Sequence, residues 1–289
     1  MDYRKEFVVK PGERVKLRKI DAGYKGKHVS KKEALPAIQK YCEKLTELQL
    51  ILYAERKHSL LVVLQALDAA GKDGTVTHVL GAMNPQGTTV TGFKQPTWED
   101  RARDFLWRVH PHVPAQGSVA IFNRSYYEDV LAVRVHSLAP KEVWHDRYDL
   151  INDFEHLLRR QNNTHVIKFY LHISPEEQLE RFRARLDDEA HHWKISDSDY
   201  KERELWDDYM EAYEDMFAKT SKKNAPWYII PSNHKWFRNL AVSQIVSATM
   251  KDFDMKMPKP TVDIELIRRQ YHRASARAHT GRGKRKKEK

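Results

Sequence analysis

A glycine-rich segment directly after an apolar run has the residue types that bind phosphate groups. The segment reads Ala66-Leu67-Asp68-Ala69-Ala70-Gly71-Lys72-Asp73-Gly74. Free backbone N–H groups where a helix begins after such a loop can bind anionic oxygens, and Lys72 would add a positive charge against the phosphates. The alternative is a glycine-rich turn that caps an ordinary helix. The predicted binding residues of the loop, besides Lys72, are Ala69, Ala70, Gly71, Asp73 and Gly74.

The segment departs at two positions from the common phosphate-loop pattern G-x-x-x-x-G-K-[ST]. Ala66 replaces the first glycine, and Asp73 replaces the Ser or Thr that binds magnesium. Asp68 lies inside the loop and offers a carboxylate oxygen, the type of ligand that Mg²⁺ prefers. We therefore predict Mg²⁺ as a cofactor with Asp68 as a ligand, and a loop or helix cap is the alternative role of this aspartate.

A second group of polar residues, Asn123, Arg124, Glu128 and Asp129, follows the apolar run Val119–Phe122. Acids near a strand end in phosphate-loop proteins commonly belong to the magnesium shell, so Asp129 is predicted as a metal ligand beside Glu128. Asn123 is predicted as a binding residue. The planar guanidinium of Arg124 is suited to neutralise phosphate charge. The alternative is the start of a surface helix with solvated charges.

Arginines recur in the segment Arg181-Phe182-Arg183-Ala184-Arg185. Arg181 and Arg185 are four residues apart and therefore share one face of a helix. In nucleotide kinases this region forms a mobile, arginine-bearing lid that closes over the phosphates and excludes water. We predict that role for both arginines. The alternative is a solvated helix whose arginines pair with Glu177 and Glu189.

Four apolar runs of strand length alternate with helical patterns along the chain. Apolar residues spaced by three and four begin near Lys31, and amphipathic patterns predict helices at Lys141–Gln161 and Pro175–Leu186. This alternation predicts an α/β fold with a parallel sheet covered on both faces, whose ligands bind beyond the carboxyl ends of the strands. The predicted strands lie within Ser59–Leu67, Val119–Phe122, His165–Ile173 and Pro226–Pro231.

The net charge of +11 on this 289-residue chain is concentrated at one end. Residues 268–289 contain ten Lys or Arg against the single acid Glu288, which leaves about +2 for all the preceding residues. A body so nearly neutral gives no reason to expect a nucleic-acid partner. The basic run attracts polyanions, but such terminal runs are more commonly solvated and disordered.

Several classes of protein are excluded or disfavoured by composition. No run approaches the roughly 18–20 apolar residues of a membrane span, so no membrane partner is expected. The first residues lack the apolar region of a secretory signal. Cys42 is the only cysteine, which excludes an intrachain disulfide framework and favours a cytoplasmic location. The adjacent His191 and His192 and the absence of an H-E-x-x-H spacing argue against a histidine metal site.

Together these motifs resemble the polyphosphate kinase 2 family, whose loop is usually written G-x-D-x-x-G-K-x-G. The resemblance runs through DAAGKDG, NPQGTTVTGFKQPT, FLWRVHPHVPAQGSVAIFNRSYYEDVLAVRVH, RFRAR and PWYIIPSNHKWFRNLAV. It implies a three-layer α/β/α P-loop kinase fold with a helical lid, Mg²⁺, and inorganic polyphosphate as donor or acceptor. It also implies a homo-oligomer, a dimer or a tetramer. By motif position, the loop acid and lysine correspond to Asp68 and Lys72, the second-motif arginine to Arg124, and the lid arginine to Arg181 or Arg185.

The ending Tyr127-Glu128-Asp129-Val130 is similar to a subgroup, class III, that accepts both nucleoside mono- and diphosphates. The expected reaction is therefore reversible transfer of the terminal phosphate of polyphosphate to AMP or ADP, with GMP and GDP as further candidates. Two positions depart from the family. Ala66 stands where glycine is usual, and Asn123 stands where many relatives carry Asp, which we interpret as a shift of metal ligand.

The expected organisation has three parts. Residues 1–30 form an irregular lead-in, residues 31–255 a kinase domain with its lid at about 181–217, and residues 256–289 an extension with a disordered basic tail. Lys94 and Arg134 are candidate contacts for a polyphosphate chain. Two rival functions are a nucleoside monophosphate kinase that uses ATP, and a non-catalytic polyanion-binding protein that acts through the tail.

Overall fold

A parallel sheet of five strands forms the centre of the computed structural model, which describes residues 2–27 and 30–285, with side chains as far as residue 276. The strand order is β2-β3-β1-β4-β5, and every neighbouring pair is parallel. All seven residues of β1 are buried, as expected for a central strand covered on both faces. The strands are β1 (Ser59–Gln65), β2 (Thr88–Gly92), β3 (Val119–Asn123), β4 (Thr164–His172) and β5 (Trp227–Pro231).

Helices cover both faces of this sheet. In chain order, the helices of the described residues are α1 (Tyr3–Phe7), α2 (Lys31–Glu55), α3 (Lys72–His78), α4 (Trp98–Arg101), α5 (Ala132–Val135), α6 (Lys141–Asn162), α7 (Pro175–Leu186), α8 (Asp197–Glu204), α9 (Trp206–Thr220), α10 (Lys235–Lys251) and α11 (Ile264–Arg285), the last of which belongs to a separate unit. Short 3-10 segments lie at Leu17–Lys19, Leu80–Ala82, Pro85–Gly87, His110–His112, Tyr126–Asp129 and Glu189–Lys194.

The central strand shows how the layers form. Leu60, Val62 and Leu64 point into a core shared with α2 and α10, whereas Leu61 and Val63 point into a second core shared with α6 and α9. Side chains alternate between the two faces of a strand, so one apolar run supplies both cores. The predicted three-layer α/β/α architecture is confirmed.

Four of the five strands lie within about two residues of the predicted runs, and β2 is the strand that the sequence analysis missed. Its residues, Thr88–Gly92, are mostly half-buried or exposed because the strand lies at an edge of the sheet and pairs with β3 alone. A Thr-rich edge strand lacks the continuous apolar run that identifies a central strand.

The residues expected to form an irregular lead-in contain the short α1 and the 3-10 segment Leu17–Lys19, and they pack against the sheet and its helices. The helix α1 is followed by an antiparallel bridge between Val8 and Tyr228 of β5, and the N–H of Val9 donates to the Trp227 carbonyl at 2.9 Å. Tyr3, Val9 and Leu17 are buried. The N-terminal segment therefore belongs to the same compact unit as the sheet, which extends to Met255.

The residues from Lys256 form a separate unit. Here the structure differs from the expected disorder, because α11 extends over Ile264–Arg285. Asp263 caps this helix, since its carboxylate accepts from the N–H of Leu266 at 3.0 Å. The last four residues of the predicted disordered tail, 286–289, lie outside the described part of the chain. Among the described residues, no helix is both long and apolar enough to cross a membrane.

Candidate active site

The predicted phosphate-binding loop connects β1 to α3, and its backbone has a left-handed conformation at Ala69 (φ 61°) and Gly71 (φ 104°). Glycine adopts such angles without steric cost. The angle at Gly71 favours glycine, and a Cβ there would lie 1.7 Å from Nη1 of Arg238, so the end of that side chain would have to move. Ala70 differs from its prediction as a binding residue. It is buried, and its N–H donates to the Leu67 carbonyl at 3.3 Å.

Lys72 folds back onto the loop that precedes it. Its Nζ donates to the carbonyls of Ala66 at 2.9 Å and Leu67 at 3.4 Å. Burial lowers the pKa of this ammonium group, and the neighbouring Asp68 opposes that effect. Lys72 nevertheless lines the cavity, so its charge lies beside the space that a phosphate would occupy.

Asp68 and Arg124 meet although 55 residues separate them in the sequence. Leu64 of β1 pairs with Asn123 of β3, so the carboxyl ends of these strands are level. Arg124 Nη2 donates to Asp68 Oδ1 at 2.7 Å. Burial raises the pKa of Asp68, but Lys72 and Arg124 together hold it below its ordinary value. Arg124 itself has a left-handed φ of 61°, a strain that is typical of functional sites.

Glu128 and Asp129 follow Arg124 but have different environments. With its amide oriented to satisfy its hydrogen bonds, Gln65 donates to Glu128 Oε1 at 3.3 Å. Asp129 faces two arginines, with Oδ1 3.5 Å from Arg147 Nη1 and Oδ2 3.7 Å from Arg108 Nη2. Burial raises the pKa of Asp129 to about 6, although both arginines oppose the shift. These contacts let Asp129 position the two arginines, while its Oδ2 is buried at the cavity without a hydrogen-bond partner among the described residues, so its role in binding a metal stays a prediction.

The two arginines predicted to act in the lid have different partners. Arg181 is buried, pairs with Glu177 at 2.7 Å, and donates to the carbonyls of Ala69 and Asn233 at 2.9 and 3.1 Å. Arg181 therefore holds the phosphate-binding loop in place, which a prediction based on helical periodicity could not show. Arg185 is partly exposed beside the cavity, where its Nη1 lies 3.5 Å from Asp199 Oδ2.

These side chains surround a cavity of about 2250 Å³. This volume exceeds the roughly 300–1,000 Å³ of a typical small-molecule pocket, so more than one ligand can be accommodated. Lys94 lies on its wall, and its carbonyl accepts from Arg108 Nη1 at 2.8 Å, so its predicted contact with a polyphosphate chain stays a prediction. Arg134 differs from its prediction as a chain contact, because it forms ion pairs with Glu211 and Asp215 at 2.6 and 2.7 Å.

The sequence analysis did not identify Arg238 of α10 as part of this site. Its side chain is buried, lines the cavity and lies against the loop at Gly71 and Gly74. Its signals in the sequence are its place in the family-like segment PWYIIPSNHKWFRNLAV and in an apolar helical pattern after β5, and neither indicates the loop that it contacts.

Comparison with known proteins identifies the family. The model of the family described as Polyphosphate kinase 2 matches residues 28–258. The chain belongs to the polyphosphate kinase 2 family. It is 45% identical over 267 residues to the AMP/ADP-polyphosphate phosphotransferase of Meiothermus ruber, an alignment that covers 91% of this chain and 98% of that relative. It is 42% identical over 269 residues to the ADP-polyphosphate phosphotransferase of Rhodopseudomonas palustris, covering 89% and 93%.

A solved structure of the polyphosphate kinase 2 family has the same fold. The crystal structure of Polyphosphate Kinase 2 from Arthrobacter aurescens TC1 superposes with a TM-score of 0.90 and 41% sequence identity. The similarity covers 94% of this chain and 97% of that one. The P-loop kinase fold predicted from the motifs is therefore confirmed over nearly the whole chain.

Asp73, which departs from the general phosphate-loop pattern, contacts Asn123, which departs from the pattern of the polyphosphate kinase 2 family. Asn123 Nδ2 donates to Asp73 Oδ1 at 2.8 Å, and Nζ of Lys194, at the end of the 3-10 segment Glu189–Lys194, lies 3.5 Å from Asp73 Oδ2. An aspartate at position 123 would bring two carboxylates together, which is unfavourable. Burial raises the pKa of Asp73, but the hydrogen bond from Asn123 and the charge of Lys194 lower it overall. The amide at position 123 therefore fits the carboxylate at position 73.

The carboxylates of this site fit Mg²⁺ bound in part by substrate. No cluster of three or more His, Cys, Asp or Glu side chains suited to a metal occurs within the described residues. Mg²⁺ in kinase sites is commonly held by one or two carboxylates together with water and substrate phosphates, so a complete protein cage is not required. Asp68, Asp73 and Glu128 all line the cavity and have the required oxygen ligands.

Proposed function

We propose that this chain transfers the terminal phosphate of inorganic polyphosphate to nucleoside mono- and diphosphates, and that the transfer is reversible. AMP and ADP are the proposed acceptors, with GMP and GDP as further candidates. The names of the Meiothermus and Rhodopseudomonas relatives support the substrate class. The observation that carries the proposal is the contact of Asp68 with Arg124, beside Lys72, at the carboxyl ends of adjacent strands.

The chemistry requires positioning and charge neutralisation more than covalent participation by the protein. In this proposal Lys72 leaves the carbonyls of Ala66 and Leu67 and binds the transferred phosphoryl group. Arg124 and Arg185 neutralise the charge that is spread over the phosphoryl oxygens in the transition state. The acceptor phosphate is already ionised and nucleophilic at neutral pH, so no strong general base is needed.

Mg²⁺ is the proposed cofactor, and when bound it would neutralise oxygens of donor and acceptor. Asp68 is the first proposed ligand, because its charge is already favoured by Lys72 and Arg124. Asp73, Glu128 and Asp129 also line the cavity and are the proposed candidates for a second oxygen, and Oδ2 of Asp129 is buried without a hydrogen-bond partner among the described residues. Arg181 keeps the loop in place while these groups act.

The test is direct. Purified protein with Mg²⁺ and polyphosphate is incubated separately with AMP, ADP, GMP and GDP, and the products are separated by chromatography. ADP and ATP formed from AMP would support the proposal, including the class III assignment. ATP formed from ADP alone would restrict the acceptors to diphosphates. Transfer that occurs with ATP but not with polyphosphate would identify a monophosphate kinase instead.

A homo-oligomer and a cytoplasmic location complete the proposal. The free thiol Cys42, half-buried in α2, is compatible with a reducing compartment. Light scattering combined with size-exclusion chromatography would distinguish a dimer or tetramer from a monomer.

A further inference from the structure

Arg238 occupies an unusual position behind the phosphate-binding loop. It is 2% exposed, yet it forms part of the cavity wall. A Cβ at Gly71 would lie 1.7 Å from its Nη1, and a Cβ at Gly74 would lie 3.0 Å from its Nη2. The guanidinium therefore rests on the two positions of the loop that carry no side chain.

The positive charge of Arg238 has no carboxylate partner within the described part of the chain. Its Nε and Nη2 donate to Oδ1 of Asn239 at 3.1 and 2.9 Å, and its Nη1 donates to the Ala70 carbonyl at a long 3.4 Å. All these acceptors are uncharged. A guanidinium has five N–H donors, so these contacts also leave part of its hydrogen-bonding capacity unused.

The neighbours of Arg238 increase the excess of positive charge. Arg181 lies at the same loop, with its Nη1 3.7 Å from the Cβ that Gly71 would carry. Burial, followed by the charge of Arg181, lowers the pKa of Arg238 to about 10. Lys235, one turn earlier in α10, has its pKa lowered by burial and by both arginines. Arg181 is balanced by Glu177 at 2.7 Å, whereas Arg238 is not.

A buried charge without a partner destabilises a folded protein, and substitution by an apolar side chain of similar size is often neutral or stabilising. Such a residue is commonly retained where function requires it, at some cost in stability. Here the compensating charge would come from an anion bound at the loop, because the guanidinium lies against Gly71 and Gly74, where the loop carries no side chain.

We propose that Arg238 is a further positioning residue for phosphate, whose charge acts through Gly71 and Gly74 on the anionic oxygens bound at the loop. The inference rests on the proposed function, because it takes the loop to be the phosphate site. Arg238 lies in α10, whereas the three motifs predicted from the sequence all precede that helix in the chain.

Arg238→Met and Arg238→Lys test this inference, with inorganic tripolyphosphate as the ligand in calorimetry and with no nucleotide present. We expect Arg238→Met to bind tripolyphosphate about 10- to 100-fold more weakly, the range for loss of a charged hydrogen-bonding group. Its melting temperature without ligand should be unchanged or higher. Arg238→Lys keeps the charge and should recover part of the affinity. In steady-state transfer, the KM for polyphosphate should rise more than kcat falls.

Arg159→Met is the matched control. Arg159 is partly buried, donates to Asn163 Oδ1 at 2.6 Å, and lies near the amino end of β4, away from the cavity-lining residues. This variant should lose stability but retain wild-type affinity for tripolyphosphate. The opposite pattern for Arg238→Met, a lower melting temperature with unchanged affinity, would show that Arg238 is only structural.

The remaining outcomes separate this inference from the proposed function. Wild-type transfer together with unchanged affinity in Arg238→Met would overturn the inference alone. Tripolyphosphate binding that depends on Arg238, without transfer to any nucleotide, would overturn the proposed function alone. If Arg238→Met does not fold, Arg238→Gln decides, because an unchanged KM for polyphosphate in that uncharged, polar variant would contradict the need for a positive charge at this position. A wild-type protein that does not bind tripolyphosphate would contradict both.

Discussion

Two groups of buried charges in this molecule are built on opposite principles. In the core beneath the second motif, Lys168 of β4 and Glu155 of α6 are in contact at 2.7 Å and are almost fully buried. Glu155 accepts from the hydroxyls of Tyr126 and Tyr127, both at 2.8 Å, and Lys168 also donates to the Thr220 carbonyl at 2.8 Å. Every charge of this core network has a protein partner.

The cluster around the phosphate-binding loop is different. Arg124 and Asp68 form one pair, but Lys72 is held by carbonyls and Arg238 by uncharged acceptors. The core network is satisfied internally and connects β4, α6 and α9, so its role is to fix the architecture. The loop cluster carries more positive than negative charge, which prepares it for an anion. The two clusters therefore differ less in burial than in whether each charge has an oppositely charged partner in the protein.

The largest expected effect lies in the core network. Lys168→Met leaves Glu155 buried without its partner, so the free energy of unfolding should fall by about 3–5 kcal/mol. Urea unfolding followed by circular dichroism measures this change. Glu155→Gln should have a similar effect, and the double variant should be more stable than the sum of the two losses predicts. If Lys168→Met were as stable as wild type, the core network would not stabilise the fold, and its proposed difference from the loop cluster would be contradicted.

The loop cluster should show the reverse behaviour. Lys72→Ala should reduce the rate of transfer by about 10²- to 10³-fold, the typical effect of losing one group that stabilises transition-state charge. The melting temperature should change little, because Lys72 has no buried carboxylate that depends on it alone. The exposed Lys251 provides a control, and Lys251→Ala should leave both quantities unchanged. Near-normal transfer by Lys72→Ala would contradict the proposed mechanism.

Asp129, whose carboxylate faces Arg108 and Arg147, gives a pH-dependent test. Its pKa is about 6 in the folded protein and about 3.9 in an unfolded chain. Between these values the folded state binds the proton more tightly, so the contribution of Asp129 to stability falls as the pH rises from about 4 to about 6. From about pH 4 to about pH 6, the free energy of unfolding of wild type should therefore fall by about 2–3 kcal/mol more than that of Asp129→Asn. The measurement is the free energy of unfolding of both proteins, obtained with denaturant at each pH. If the two free energies changed with pH in parallel, the raised pKa of Asp129 would be contradicted.

The smallest effect is expected from the basic extension. Deletion of residues 268–289 should leave the rate of transfer intact and change the free energy of unfolding by no more than about 0.5 kcal/mol, as for most surface changes. The deletion removes most of the net charge of the chain but none of the cavity-lining residues. Loss of activity on deletion would favour the rival function, a polyanion-binding protein that acts through its tail.

Sequence patterns predicted the parts of the molecule that depend on local regularity. The apolar runs identified β1, β3, β4 and β5, and the position of motifs after β1 and β3 predicted that Asp68 and Arg124 would share one edge of the sheet. Those patterns carry strong signals because buried parallel strands need continuous apolar residues. The edge strand β2 lacks that requirement and was missed.

The arginines show what the sequence could not predict. Helical spacing placed Arg181 and Arg185 on one face, but it could not show that the first is directed at loop carbonyls and the second at the cavity. Arg238 follows β5 in an apolar helix, and its importance appears only when tertiary packing places it beside Gly71. The partners of Asp129, Arg108 and Arg147, are likewise set by packing between distant segments.

The N-terminal segment has a consequence for the handling of the protein. The bridge between Val8 and Tyr228, together with the hydrogen bond from Val9 to Trp227, covers part of the outer edge of β5. A strand edge with unpaired backbone groups is a template for aggregation. Removal of the first nine residues would expose that edge and invite edge-to-edge association. Oligomers or aggregates of such a shortened chain would form through the exposed edge of β5. Their size would therefore not indicate the quaternary structure of the intact protein.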